Sequence, residues 1–338
     1  MEIAAIAVVF VSAFDAGFES CPHDERHSAM MRQKEVRDRV AAIARRASRL
    51  IAAAACALAS AGCAQDANDS ESRPGGIITY APNITETVFA LGQGHRIVGV
   101  TVFCDYPPEA ASKEVIGGYL DPNLERITAL APELIILPGK LEKIAELARQ
   151  SGIPVLHAHM DNLQTIHDGI MSIGEVLDCK ERAQALWAGM QRDLQRVREA
   201  VKNRSRPRVL LVHTRRDHDL NNLFTVGRTS FLSELADIAG TENIFADVEQ
   251  AYFEASKESV VLRAPDCIIE FHAGEDLSEE EKARFVADWR QLPSLPAVRD
   301  GRIHLFLESH GLRPGPRVAE VAAKLAKMAH PDVQLERP

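Results

Sequence analysis

Short apolar runs alternate with amphipathic segments over most of this chain. Between residues 77 and 157 the apolar runs are short enough for buried strands, and the segments between them carry apolar residues at helical spacing. The predicted strands are 77–80, 97–100, 134–137 and 155–157, and the predicted helices are 85–91, capped by Asn83 or Thr85, and 141–150. Strands that alternate with helices form βαβ units and a mostly parallel sheet. The pattern predicts an α/β lobe over residues 77–162.

The next region is almost entirely helical in pattern. Apolar residues recur three or four positions apart from Leu163 to Leu177, and again from Ala183 to Val201, before Pro207 interrupts the pattern. Charged residues cover the other faces. A long amphipathic helix between two βα regions is typical of a stiff connector, although an ordinary surface helix has the same pattern. We predict a helical connector over residues 163–205.

After Pro207 the alternation of strands and helices begins again. The predicted strands are 209–212, 267–270 and 303–306, and the predicted helices are 230–239 and 318–329. This second series predicts another α/β lobe over residues 206–332.

An internal repeat supports two lobes. Residues 124–136 read LERITALAPELII and residues 257–269 read KESVVLRAPDCII, so a glutamate, an Ala-Pro pair, an acid and Ile-Ile recur at the same spacing. The copies are too far apart for a solenoid repeat. Glu125 and Glu258 therefore occupy equivalent places on two lobes. Both glutamates also suit the first turn of a helix, where the helix dipole favours a negative charge.

The N-terminal region has the layout of an export signal. Basic residues crowd positions 32–49, an apolar run covers 50–61, and Gly62 and Cys63 follow. The run is too short to span a bilayer. Residues 58–63 resemble the bacterial lipoprotein box, which makes Cys63 the expected lipidation site; cleavage near Ala61 is the alternative. We expect residues 1–62 to be removed, with 1–29 upstream of a start at Met30 or Met31, and residues 63–76 to form a polar tether.

Composition narrows the function. The 338 residues carry a net charge of -9, which argues against nucleic acid as a partner. Three further cysteines, Cys104, Cys179 and Cys267, leave the disulfide state open.

Four short motifs carry a resemblance to a known family. They are RIVGV at 96–100, CDYPP at 104–108, NLERI at 123–127 and ENIF at 242–245. Together they resemble the periplasmic binding proteins for vitamin B12, haem and siderophores, from about residue 75 to 330. The resemblance implies an α/β fold of two Rossmann-like lobes joined by a single long connecting helix.

The resemblance also implies a function. The chain would be the solute-binding component of an ABC importer that captures a corrinoid between its lobes, with a ferric siderophore or haem as the alternative cargo. In the family aromatic rings flank the corrin, and the matching residues are Phe103, Tyr119, Phe224 and Tyr252. Vitamin B12-binding members have tryptophan where Tyr119 and Tyr252 stand.

Delivery to the membrane is implied in the same way. Family members dock a glutamate of each lobe into arginine pockets of the ABC permease, and Glu125 and Glu258 match those positions. The expected protein is a periplasmic monomer, anchored to the membrane through a lipid on Cys63. It needs no cofactor or metal of its own.

A metal-dependent hydrolase is the rival from another class. The spacing of metal ligands is found at His157, His159 and Asp161. Further candidate ligands are His213, His218 and Asp219. A catalytic metal site needs three protein ligands and a base around an open position. No segment completes such a set, so no enzyme is expected.

Other cargoes would use other residues. A bare metal ion needs several ligands facing one cleft, and the histidines that could contribute are His157, His159, His213, His272 and His310. Arg215 and Arg216 suit an anionic siderophore or a haem propionate, or are simply solvated. Arg317 either lines the cleft or binds a backbone carbonyl.

Overall fold

The computed structural model of the protein describes residues 76–335. Cys63 and the predicted export segment lie outside this range. Within it, no helix is long and apolar enough to cross a membrane.

The N-terminal lobe is built on a sheet of five parallel strands. In chain order these are β1 (Ile77–Thr79), β2 (Ile97–Val100), β3 (Glu114–Val115), β4 (Leu134–Leu137) and β5 (Val155–His157), and their order in the sheet is β3-β2-β1-β4-β5. Its helices are α1 (Pro82–Ala90), α2 (Leu124–Ala129) and α3 (Glu142–Ser151). Every residue of β1 and β4 is buried, as expected for central parallel strands with both faces covered.

The start of α1 differs from the sequence prediction. The helix begins at Pro82, three residues earlier than expected, and neither Asn83 nor Thr85 caps it. Proline is well suited to a first helical position because its missing N–H has no partner there anyway. Both predicted caps are instead buried inside the helix.

Two helices follow the first lobe. α4 (Leu163–Val176) starts with a capping box formed by Asn162 and Thr165, and α5 (Lys180–Val201) runs for 22 residues, about 33 Å. Near the start of α5, Arg182 Nη1 donates to Leu91 O in the N-terminal lobe at 3.1 Å. At its end, Val201 packs against Gly240 of the C-terminal lobe. The long predicted helix therefore contacts both lobes.

The C-terminal lobe has a mixed sheet. Its strands are β6 (Arg208–Thr214), β7 (Asn222–Val226), β8 (Glu242–Asn243), β9 (Tyr252–Ser256), β10 (Cys267–Phe271) and β11 (Ile303–Phe306). The sheet order is β11-β10-β6-β7-β9, with β8 beside β6. β7 runs antiparallel to β6 and β9, and the sequence analysis missed β7 and β9. The helices are α6 (Phe231–Ile238), α7 (Lys257–Arg263), α8 (Glu279–Asp288), α9 (Pro296–Arg299) and α10 (Val318–Ala329).

The internal repeat is a repeat of structure. Asn123 caps α2 and Ser256 caps α7, each accepting a hydrogen bond from the backbone three residues on. After each helix an alanine takes a left-handed conformation, with φ of 42° at Ala131 and 45° at Ala264, and a proline then leads into a buried strand. The same local code therefore builds the same helix-to-strand turn in both lobes.

The lobes contact each other directly. Phe231 N donates to Asp161 O of the N-terminal lobe at 2.8 Å, and at the start of α4 Leu163 N donates to Glu234 Oε2 at 2.6 Å. Burial raises the pKa of Glu234. One hydrophobic cluster includes residues of both lobes and of α5. Cys104, Cys179 and Cys267 are buried and free.

Candidate functional site

A cavity of about 80 Å³ lies where the two lobes meet. Its wall combines residues that follow strands of the N-terminal lobe with residues of the C-terminal lobe; they include Pro82, Asn83, Pro138, Met160, Phe231 and Leu312. Ligand clefts of α/β sheets form beyond the carboxyl ends of the strands. This cavity is the candidate site. It is smaller than ordinary ligand pockets of about 300–1,000 Å³.

The N-terminal lobe contributes two aromatic rings. Phe103 follows β2, and Tyr119 lies in the turn after β3; both are half-buried and line the cavity. Tyr80 supports Tyr119 edge-on, with ring centroids 5.8 Å apart, and its hydroxyl donates to Gly118 O at 2.7 Å. Burial raises the pKa of Tyr119, so its phenol stays protonated.

The C-terminal lobe contributes a group of three rings. Phe224 on β7 and Tyr252 on β9 are nearly parallel, 12° apart, with centroids separated by 6.2 Å. His213, near the end of β6, stands edge-on to Tyr252 at 4.9 Å and to Phe224 at 5.7 Å. Tyr252 and His213 line the cavity, and Phe224 is half-buried beside them. The four predicted aromatic residues therefore fall into two groups, one from each lobe.

The His213 side chain is unusual among the polar groups of the site. It is 2% exposed, and its Nδ1 has no hydrogen-bond partner within the described residues. Burial lowers its pKa to about 4. The imidazole is therefore neutral at physiological pH and offers a lone pair.

A buried ion cluster joins the lobes beside the cavity. Glu86 of α1 is 3% exposed and accepts hydrogen bonds from Arg317 Nε at 2.8 Å and from Arg313 Nη1 at 3.2 Å. Arg313 also pairs with Asp105, and Arg317 lies over the ring of Tyr106 at 3.9 Å. Arg317 thus binds a carboxylate across the lobes, which neither of the two sequence predictions for it anticipated.

The two arginines proposed for an anionic cargo, Arg215 and Arg216, lie outside the cavity. Arg215 is 1% exposed and is held by Glu270 at 2.8 Å and by Asp288 at 2.9 Å. Arg216 is exposed. Neither residue lines the cavity. Arg215 is part of a structural ion cluster, which is why it is not available to a propionate or a siderophore.

The candidate metal ligands do not converge. His157 and His159 are exposed, and His157 Nδ1 contacts Gly139 O at 3.0 Å. His272 lies between Glu270 and Glu275, and His310 lies near Glu320. Within residues 76–335, no group of three or more histidine, cysteine or acidic side chains is arranged to hold a metal ion.

Glu125 and Glu258 lie on the first turns of α2 and α7. Both are exposed, and neither has an ion-pair partner in the described part of the chain. Exposed apolar side chains lie beside them, Leu124 near the first and Val261 and Leu262 near the second. Hydrogen bonds from the Glu258 backbone and from Ser256 lower the pKa of Glu258.

Residues 77–306 match a family described as Periplasmic binding protein. The chain belongs to this family. Its members are periplasmic binding proteins rather than enzymes, which implies a periplasmic protein that binds a small molecule.

Relatives of this family member include vitamin B12-binding proteins. That of Vibrio parahaemolyticus is 27% identical over 243 residues, which cover 71% of this chain and 84% of the relative. The vitamin B12-binding protein of Salmonella paratyphi A is 30% identical over 225 residues, which cover 66% of this chain and 80% of the relative.

Solved structures confirm the predicted two-lobed α/β fold. The periplasmic vitamin B12 binding protein BtuF of Vibrio cholerae has a TM-score of 0.61 and 27% identity, covering 75% of this chain and 97% of its own. The periplasmic heme-binding protein RhuT of Roseiflexus sp. has a TM-score of 0.64 and 24% identity, and the match covers 78% of this chain and 100% of RhuT.

Sequence reasoning missed several residues of the cavity. Asn83, Met160 and Arg313 line it, and His213 was proposed only as a metal ligand, of a hydrolase or of a bare ion. Asn83 and His213 carried a usable signal, because each lies at or just after the carboxyl end of a central strand. Arg313 carried none, since its partners Glu86 and Asp105 are more than 200 positions away in sequence.

Proposed function

We propose that this protein is the substrate-binding component of an ABC importer and that its cargo is a corrinoid of the vitamin B12 type. The observation that supports the proposal is the aromatic lining of the cavity, with Phe103 and Tyr119 from one lobe and Tyr252, which stacks near Phe224, from the other. Aromatic rings suit a flat, partly apolar macrocycle because they offer a large contact area at a low entropic cost. The vitamin B12-binding relatives support the same cargo.

A second candidate cargo is haem, with a ferric siderophore as its variant. The phenols of Tyr119 and Tyr252 and the imidazole of His213 line this cavity and are side chains of the types that ligate haem iron. Arg215 gives this alternative no support, since Glu270 and Asp288 already hold it.

Calorimetric titration of the purified protein distinguishes these cargoes. We expect heat and a stoichiometry of one with cyanocobalamin, and weaker or no binding of haemin and of a ferric siderophore. Tight binding of a siderophore with no response to cyanocobalamin would reject the corrinoid.

Loaded protein would then dock onto the permease through Glu125 and Glu258. Their exposure and their lack of ion-pair partners within residues 76–335 leave both carboxylates available for arginines of a partner. Widely separated charge contacts of this kind fix orientation and speed encounter more than they add affinity.

Export and a lipid anchor on Cys63 complete the proposal. Both rest on the residue pattern at 32–63, which lies outside the described residues. Mass spectrometry of the mature protein should find an acylated cysteine as its first residue. A mature chain that begins elsewhere without a lipid would reject the anchor.

A further inference from the structure

Helix α7 exposes two apolar side chains on its outer surface. Of the large apolar side chains in residues 76–335, Leu262 is the most exposed, at 87%, and Val261 beside it is 37% exposed. Val260 is the buried residue through which α7 packs on its own lobe. A surface helix normally has polar residues on its outer side. An apolar pair at that position therefore indicates a contact between α7 and another molecule.

The apolar pair lies on the same side of α7 as Glu258. Positions three and four residues apart are neighbours on a helix, which puts Glu258, Val261 and Leu262 next to one another. All three residues are exposed. Together they form one surface, which we call the α7 face, with a carboxylate at one end and apolar side chains at the other.

Helix α2 provides a comparison within the same chain. By the internal repeat, its equivalent side carries Glu125, Thr128 and Ala129, which are also exposed. Leu124 is 38% exposed, but it directly precedes the glutamate and so points about 100° away around the helix. Because α2 forms the same helix-to-strand turn without an apolar pair, the fold of α7 does not account for that pair.

The charges near the α7 face indicate the kind of partner. Arg263, the basic residue in the last turn of α7, donates to both carboxylate oxygens of Asp247, at 2.7 and 2.8 Å. Glu258 is thus left without an ion-pair partner in the described part of the chain. The whole chain is acidic too, with a net charge of -9. An anionic lipid surface would repel this face, whereas a protein site that combines a cation with an apolar pocket fits it.

We propose that the α7 face is an apolar anchor through which the C-terminal lobe binds the permease, an inference that rests on the proposed docking of the glutamates. Charge contacts fix orientation and speed encounter. An apolar contact that is buried at the core of an interface slows dissociation instead. The two lobes therefore bind the permease unequally, since α2 offers a charge on this side and α7 offers a charge and an apolar surface.

Uptake of labelled cyanocobalamin in the producing organism tests the anchor. Leu262→Ser should lower uptake at least about tenfold. Leu262→Met keeps a large apolar side chain and should transport like wild type. The matched control is Ala129→Ser, which changes the equivalent position of α2 and should also transport normally. Calorimetry should give all three variants the wild-type affinity for cyanocobalamin, because neither residue lines the cavity.

Two results of the uptake experiment would overturn the anchor. One is wild-type uptake with Leu262→Ser, and the other is an equal loss with Ala129→Ser. If Glu258→Ala still loses uptake in either case, docking through the glutamates stands without the apolar contact.

Binding to membranes separates a permease from a lipid partner. Membrane vesicles with the periplasmic side outward are prepared from cells that lack this protein, and liposomes are prepared from the extracted lipids. Every protein is the full chain with Cys63→Ser, so that no lipid on that residue contributes. Wild type should bind the vesicles at least about tenfold more tightly than Leu262→Ser does, and should not bind the liposomes. Equal binding to vesicles and liposomes would overturn the permease as the partner.

The two kinds of contact should respond differently to salt. Salt screens exposed charges, so the loss of vesicle binding caused by Glu258→Ala should shrink as the ionic strength rises. The loss caused by Leu262→Ser should persist. A loss with Leu262→Ser that disappears at high salt would overturn the apolar anchor.

The vesicle experiment does not depend on the cargo. If wild type binds no cyanocobalamin, the proposed cargo is wrong, and vesicle binding of the cargo-free proteins still decides the role of Leu262 by the same tenfold difference. Vesicles that bind no form of the protein would overturn the anchor and the docking of the glutamates together.

Discussion

His213 and His272 are both buried histidines of the C-terminal lobe, and their surroundings move their pKa values in opposite directions. His213 faces aromatic rings, and burial lowers its pKa to about 4. Burial would also lower the pKa of His272, but hydrogen bonds to Glu270 and Glu275 outweigh it and raise the pKa to about 9. One histidine is therefore a neutral group at the cavity, and the other is a cation in a structural cluster.

The His272 cation should make stability depend on pH. Because its folded pKa exceeds the unfolded value of about 6.5, its contribution is complete below pH ~6.5 and is lost as the pH rises through about 9. Between about pH 6 and about pH 10, wild type should lose roughly 3 kcal/mol of unfolding free energy that His272→Asn does not lose. Urea denaturation at both pH values measures the difference. His167→Asn, which changes an exposed contact to Asp168, is the control, and a constant gap between wild type and His272→Asn would contradict the prediction.

The ring of Tyr252 should matter more to cargo than its hydroxyl. Tyr252→Ala removes a ring that lines the cavity and stacks near Phe224, so we expect cyanocobalamin to bind at least about tenfold more weakly. Tyr252→Phe keeps the ring and should stay within about threefold of wild type. Calorimetric titration gives both constants. Similar losses in the two variants would shift the role from the ring to the hydroxyl.

At the scale of elements, α2 and α7 show what a local code can specify. Each has a polar cap, a glutamate in its first turn and a left-handed alanine before proline. The sequence repeat predicted the matched glutamates, and the structure adds the caps and the left-handed alanines. β7 and β9 were missed, because antiparallel strands with partly exposed residues lack the apolar run that marks β4 and the first three residues of β10. Local pattern therefore predicts buried parallel strands better than the edge of a mixed sheet.

The two short helices should act in transport and not in cargo binding. Glu125→Ala and Glu258→Ala, singly and together, should reduce uptake of labelled cyanocobalamin in the producing organism, with uptake abolished in the double variant. Their affinity for cyanocobalamin should remain at the wild-type value, because neither residue lines the cavity.

Glu142→Ala supplies the matched control for this prediction, since Glu142 is an exposed acid in the first turn of α3. Its uptake should equal that of wild type. A large loss of cargo affinity in the Glu125 or Glu258 variants would contradict the docking role.

At the scale of the whole molecule, direct contacts join the two lobes beside the cavity. Glu86, Arg313 and Arg317 form a buried cluster between them, and Asn83 Nδ2 donates to Pro314 O at 3.0 Å. The cavity of about 80 Å³ is well below the roughly 300–1,000 Å³ of ordinary ligand pockets. We therefore expect a macrocycle to enter only when the lobes separate, and the ion cluster would oppose that separation.

A disulfide across the lobes should block this opening. A Cβ on Gly315 would lie 3.2 Å from Asn83 Cβ, slightly shorter than the roughly 3.5–4.5 Å that disulfides span, so a shift of a few tenths of an ångström would admit the bond. The double variant Asn83→Cys, Gly315→Cys should lose cyanocobalamin binding when oxidised and regain it when reduced. The reduced form of the same protein is the control. Fast, tight binding by the fully oxidised form would contradict the need for opening.

The sequence alone determined the two α/β series, the long helix between them and the matched glutamates, because these depend on apolar periodicity, caps and turn residues that act over a few positions. The tertiary structure decided which side chains meet at the cavity. His213 is neutral and lacks a hydrogen-bond partner at Nδ1 within the described residues because aromatic rings of β7 and β9 surround it. Glu86 is paired with two arginines that lie 227 and 231 positions away in the sequence. Such burial and charge pairing arise only when distant segments pack together, and no local pattern encodes them.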